Sequence, residues 1–147
     1  IKLEYYPALE KMSRIQEHAP DAIGIFGGLG GMYFLEELQR GSHGIMTGFS
    51  WPEVLVSVYN AFRSGDVAGA AAIFDRYVPL IRYEFQPKIG LAYRKHVYHE
   101  RGIIDTTFIR PPGMQICDYT RAELTAAIER VGFSLNRTGA QTVAPAS

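Results

Sequence analysis

The sequence predicts an α/β protein in which parallel βαβ units are followed by a helical region. Three observations predict it. Short apolar strands recur about every twenty residues through the first third of the chain, each separated from the next by an amphipathic helix, as in a parallel sheet. A glycine-rich turn, Gly27-Gly28-Leu29-Gly30-Gly31, carries one strand directly into a helix. From Ser50 onward the apolar spacing is helical. A length of 147 residues, 47% hydrophobic and 20% charged, suits one globular domain with a sizeable core.

Ile1-Lys2-Leu3 reads as the first strand, short and buried. Leu9, Met12 and Ile15 place a helix from about Ala8 to His18. Ala22-Ile23-Gly24-Ile25-Phe26 reads as a second buried strand. The helix after the glycine turn carries Phe34, Leu35 and Leu38 and stops at Gly41. Ser42 to Thr47 is the third strand.

Ser50-Trp51-Pro52-Glu53 has the form of a capping box with proline in the first turn. It opens a helix whose buried stripe is Leu55, Val58, Tyr59 and Phe62, and which Gly65 ends. Asp66 caps the next helix, where Pro79 predicts a bend. A further helix, from about Ile89 to Glu100, stops at Gly102. After a loop containing Arg110-Pro111-Pro112-Gly113, Thr120-Arg121-Ala122-Glu123 reads as a second capping box, for a helix closed by Gly132. Small polar residues from about Asn136 read as a mobile tail.

Lys+Arg and Asp+Glu balance at 15 each, so no basic stripe points to nucleic acid. Glycines and charges interrupt every apolar stretch well short of a membrane span, and no succession resembles a signal peptide. The single cysteine, Cys117, rules out an internal disulfide framework and fits a reducing, cytoplasmic setting, where it reads as a spectator thiol. His96, His99 and Glu100 lack a zinc-protease spacing and a third ligand, so surface histidines are the preferred reading and no metal or cofactor is expected. The chain begins without methionine, inside an apolar pattern, which points to processing, truncation or missing residues.

Two features carry candidate chemistry. Lys2 sits among apolar neighbours, where burial disfavours an ammonium; a neutral amine can attack a carbonyl and form a Schiff base. The competing reading is a solvated N-terminal lysine. The glycine turn lacks the third glycine of a dinucleotide fingerprint, because Tyr33 stands there. Its backbone amides suit an anion such as a carboxylate, or the glycines simply permit a tight βα turn. Glu4, two residues past Lys2, is expected on the same side of the strand, in acid–base chemistry or as an ion-pair partner.

Taken in order, Ile1-Lys2-Leu3-Glu4, Ile25-Phe26-Gly27-Gly28, Gly41-Ser42-His43-Gly44-Ile45-Met46-Thr47 and Ile109-Arg110-Pro111-Pro112 resemble the dihydrodipicolinate synthase/N-acetylneuraminate lyase family. The resemblance runs from residue 1 to about 133. It implies the last three strands of a (β/α)8 TIM barrel plus a C-terminal helical extension. Residues 1–50 would be the C-terminal βα units, 51–133 the last barrel helix and helical region, and 134–147 a flexible tail.

The resemblance implies that Lys2 is the Schiff-base lysine, condensing with pyruvate or another 2-keto acid, and that Gly27 and Met46 bind the substrate. It implies a class I lyase, either an aldolase or synthase, or a 2-keto-3-deoxy sugar acid dehydratase. It also implies a homo-oligomer, a tetramer in most members, with the helices around Tyr77, Tyr83 and Tyr93 as contacts or as core. The family's proton-relaying tyrosine and threonine-rich carboxylate-binding turn match nothing here, so three strands alone are expected to be inactive and to leave an unsatisfied, association-prone sheet edge. Gly28-Leu29 stands where sialic-acid lyases carry acidic residues, which disfavours that substrate. The alternative is a non-catalytic binding or regulatory member of the same fold. A third reading, an unrelated free-standing α/β domain, predicts a monomer.

Overall fold

The computed structural model describes residues 1–20, 22–135 and 143. Three extended segments lie side by side and parallel. Lys2 bridges Phe26, and strand β1 (Phe26–Gly27) pairs with strand β2 (Gly44–Ile45) in the register Phe26↔Gly44 and Gly27↔Ile45. Flanking bonds extend the pairing: Leu3 N–H donates to Phe26 O at 2.8 Å, and Met46 N–H donates to Gly27 O at 3.1 Å. Helix α1 (Ala8–His18) connects the first segment to β1, and α2 (Phe34–Gln39) connects β1 to β2.

The strands are shorter than the apolar runs predict. Ile25 is fully buried while Ile23 is 41% exposed, so only the end of that run nearest the turn enters the sheet. The first segment departs further from expectation. Ile1 and Lys2 are exposed, because the segment is an edge with β1 on one side only among the described residues. On the opposite side of the sheet, β2 borders an apolar cleft of about 310 Å³ lined by Phe26, Ile45, Phe49, Leu55 and Tyr59.

Four helices make the remainder: α3 (Pro52–Arg63), α4 (Val67–Glu84), α5 (Gly90–Glu100) and α6 (Asp118–Arg130). Asp66 caps α4 as its position predicts, its Oδ1 accepting from Gly69 N–H at 2.9 Å. Helix α4 continues unbroken through Pro79. Both capping boxes are corrected. Ser50 does not cap α3, because its hydroxyl and its N–H both donate to the buried carboxylate of Glu84, at 2.9 and 3.0 Å, while Glu53 pairs with Arg101 at 2.6 Å. Helix α6 starts earlier than predicted, with Cys117 at its N-cap, so Thr120 and Glu123 lie inside the helix. Glu123 accepts from the Tyr83 hydroxyl at 2.9 Å rather than reaching back to a cap.

The core gathers apolar side chains from α2 through Phe133 into one cluster. At its centre the Phe133 ring lies between Trp51 and Tyr77, with both centroid distances 4.7 Å. The Arg101 guanidinium covers the outer face of Trp51 at 4.4 Å from the ring centroid. Of the predicted tail, Leu135 and Val143 pack against this cluster, and residues 136–142 and 144–147 lie outside the described residues. No helix among the described residues is long and apolar enough to cross a membrane.

Candidate functional site

Where the chain leaves the three parallel segments, the turns converge on a cleft of about 440 Å³ lined by Lys2, Glu4, Met46, Thr47, Phe85 and Arg94. Lys2 Nζ stands 3.1 Å from Glu4 Oε2, and Glu4 Oε1 accepts from Leu29 N–H at 3.1 Å. Side-chain alternation along the first segment puts Lys2 and Glu4 on one side, as their spacing predicts. The carboxylate that occupies an amide of the glycine turn is thus the chain's own Glu4. Burial pushes the Glu4 carboxyl up, but the Lys2 ammonium and the Leu29 amide outweigh it and leave the pKa lowered.

The glycines make this approach sterically feasible. A Cβ on Gly28 would sit 2.3 Å from Glu4 Oε1. Gly30 adopts φ +70°, and a Cβ there would lie 2.2 Å from the Phe85 ring, which closes the cleft from α4's end. Lys2 is not the buried amine that the apolar pattern predicts: its side chain is 39% exposed and ion-paired with Glu4.

Gly27 and Met46 are placed differently. Met46, 49% exposed, is on the cleft wall. Gly27 is outside that wall; its carbonyl holds Met46 N–H, and its α-carbon faces the wholly buried side chain of Glu37. A Cβ on Gly27 would stand 1.7 Å from Glu37 Oε2. Gly27→Ala is therefore expected to displace Glu37 and to lower stability by about 1–3 kcal/mol, read as a shifted denaturation midpoint. An unchanged midpoint would show that the Glu37 side chain moves aside freely.

Glu37 itself titrates unusually. Burial pushes its carboxyl up to about 7, against the Gly28 amide, and the neighbouring Glu36 and Glu4 add to the rise. A carboxyl whose pKa is raised on folding holds its proton in the native state while the unfolded chain has lost it. Its contribution to stability is thus present below the ordinary value of 4.5 and is lost as pH climbs through about 7. Glu37→Gln is expected to flatten the fall in stability across that window, measured by urea denaturation at a series of pH values. An identical pH slope in the variant would exclude Glu37 as its source.

Behind the cleft lies a second charged cluster. Glu84, fully enclosed, is pushed up to about 7 by burial, although Ser50, Arg94 and Arg101 all pull it down. Arg94 Nε lies 3.9 Å from Glu84 Oε2. Arg94, Phe85 and Glu84 were not legible as site residues, since in sequence they are an aromatic-rich helical region that reads as packing. Their one signal is charge at positions of a helical pattern that the fold buries. In the histidine cluster, His99 Nδ1 faces Glu100 at 3.2 Å, and no group of three or more His, Cys, Asp or Glu among the described residues could hold a metal ion.

Parallel strands joined by helices, a lysine-bearing cleft at the C-terminal ends of those strands and a helical extension define part of a (β/α)8 barrel. The profile of the dihydrodipicolinate synthetase family matches residues 5–131, and the chain belongs to that family. Lys2 and Glu4 fall just ahead of the matched span. The chain is 30% identical over 131 residues to the L-2-keto-3-deoxyarabonate dehydratase of Azospirillum brasilense, covering 88% of this chain and 42% of that protein. It superposes on the dihydrodipicolinate synthase of Rhodopseudomonas palustris with a TM-score of 0.82 at 35% identity, covering 88% of this chain and 44% of the other. A dihydrodipicolinic acid synthase family prophage protein from E. coli K12, in complex with pyruvate, shares the fold with a TM-score of 0.62 at 19% identity, over 88% and 44% of the two chains. The chain thus spans less than half the length of these relatives.

Proposed function

We propose that this chain supplies the Schiff-base lysine of a class I lyase acting on pyruvate or another 2-keto acid, with Lys2 as the nucleophile. The observation that carries the reading is the Lys2–Glu4 pair, 3.1 Å apart on the wall of the cleft. Lys2 must give up a proton before its amine attacks the ketone carbon, and Glu4 Oε2 is the adjacent acceptor. Attack and loss of water yield an iminium, which acidifies the hydrogens on the next carbon. Removing one of them gives an enamine.

From the enamine two outcomes share the same lysine. Attack of the enamine carbon on a carbonyl forms a carbon–carbon bond, and the reverse reaction breaks such a bond in the iminium to release the enamine; this is synthase or aldolase chemistry, in keeping with the Rhodopseudomonas relative. Expulsion of a hydroxyl from the following carbon is dehydration, in keeping with the Azospirillum relative. Met46 packs against the bound keto acid, and Gly27 acts through it, holding its backbone. The three parallel segments complete a pocket only with further strands. The reading includes a cytoplasmic homo-oligomer, a tetramer as in most of the family.

Mixing the protein with pyruvate and borohydride tests this reading, because reduction locks the imine and the intact mass reports it. A stable adduct supports it; with the remaining barrel strands present, no adduct with pyruvate or with a longer 2-keto acid contradicts it. Product analysis with a 2-keto-3-deoxy acid then separates loss of water from carbon–carbon cleavage.

A further inference from the structure

The cleft that contains Lys2 also contains Arg94, presented by α5 with its side chain 25% exposed. Its Nε is buried and has no hydrogen-bond partner among the described residues; Glu84 Oε2 stands 3.9 Å behind it. Glu84 is fixed in turn by two hydrogen bonds from Ser50, at 2.9 and 3.0 Å. On the other side, the guanidinium lies against Gly48, where a Cβ would meet Nη1 at 2.8 Å. Position 48 is thus kept bare where the guanidinium meets the cleft wall.

A substrate joined to Lys2 through its ketone carbon has a remote end, and what that end carries decides whether Arg94 can bind it. Pyruvate ends in a methyl group, which offers a guanidinium no acceptor. A longer 2-keto-3-deoxy acid ends in hydroxyls, which do. Above about pH 7, where Glu84 is ionised, the cluster behind Arg94 favours hydroxyls over a second carboxylate, since Arg94 and Arg101 are then matched by Glu84 and Glu53. We propose that Arg94 binds the terminal hydroxyls of an extended 2-keto-3-deoxy sugar acid and so sets the preference of the cleft for that substrate over pyruvate. This inference rests on Lys2 being the Schiff-base lysine. Glu84 and Ser50 are positioning residues that hold the guanidinium.

The test is borohydride trapping at graded concentrations of pyruvate and of 2-keto-3-deoxypentonate, for the protein and for Arg94→Met, Arg94→Lys and Gly48→Ala. Arg94→Met is expected to raise the half-saturating concentration of the deoxypentonate roughly 10- to 100-fold, the scale of a lost charged hydrogen bond, and to shift that of pyruvate far less. Arg94→Lys should recover part of the loss, and Gly48→Ala should move in the same direction as Arg94→Met by crowding Nη1. The pyruvate adduct reports that each variant is folded. Equal shifts for both ligands, or none for either, would overturn the assignment while leaving Lys2 untouched. Absence of any adduct in the unsubstituted protein, assayed with its remaining barrel strands present, would overturn the Lys2 reading and this one with it.

Discussion

With the remaining barrel strands present, Lys2→Ala is expected to abolish the borohydride-trapped adduct and to lower turnover by on the order of 10⁴-fold or more, as loss of a covalent nucleophile does. The substitution should cost little stability. Lys2 is 39% exposed along its side chain, and its pair with Glu4 is a solvent-exposed one of the kind that contributes about 0–1 kcal/mol. Glu4 keeps its bond from Leu29 N–H in the variant, so the turn has no reason to rearrange. Catalysis and folding therefore separate cleanly at this position. Adduct formation that survives Lys2→Ala would place the nucleophile elsewhere.

The second large effect is structural. Phe133→Ala should destabilise the protein by about 3–5 kcal/mol, the range for deleting a buried aromatic ring. Phe133 follows α6 and is only 4% exposed, and its ring is stacked on Trp51 and Tyr77 on either face. Removing it leaves a gap between the residue that precedes α3 and the middle of α4, a place where rigid helices cannot collapse. A denaturation midpoint lowered by less than about 1 kcal/mol would mean that the neighbouring rings close the gap.

What the sequence conveyed depended on the range of the interaction. Helix α1 matches its predicted bounds, Ala8 to His18, because an apolar stripe at helical spacing is a local signal. Asp66 was readable for the same reason, since a cap acts within one turn. The first capping box failed where a distant group competed, and the second because α6 starts earlier, at Asp118. Glu84 takes Ser50, and Tyr83 takes Glu123, and neither partner can be seen from the motif. The placement of Lys2 failed likewise: apolar neighbours predict a buried amine, but burial depends on which strands flank it. The Lys2–Glu4 side was legible from the strand period, whereas Arg94 reaches the cleft only because α4 and α5 fold back over the strand ends. Gly27 shows a similar limit, because nothing in its own segment reveals that Glu37 lies against it.

The central claim is that Lys2 carries the covalent bond to a 2-keto acid. Peptide mapping of the reduced pyruvate adduct tests it most directly. The label is expected on the peptide that contains Lys2. A label on Lys11, Lys88 or Lys95 instead, or a protein that binds a 2-keto acid without any reducible bond, would contradict it.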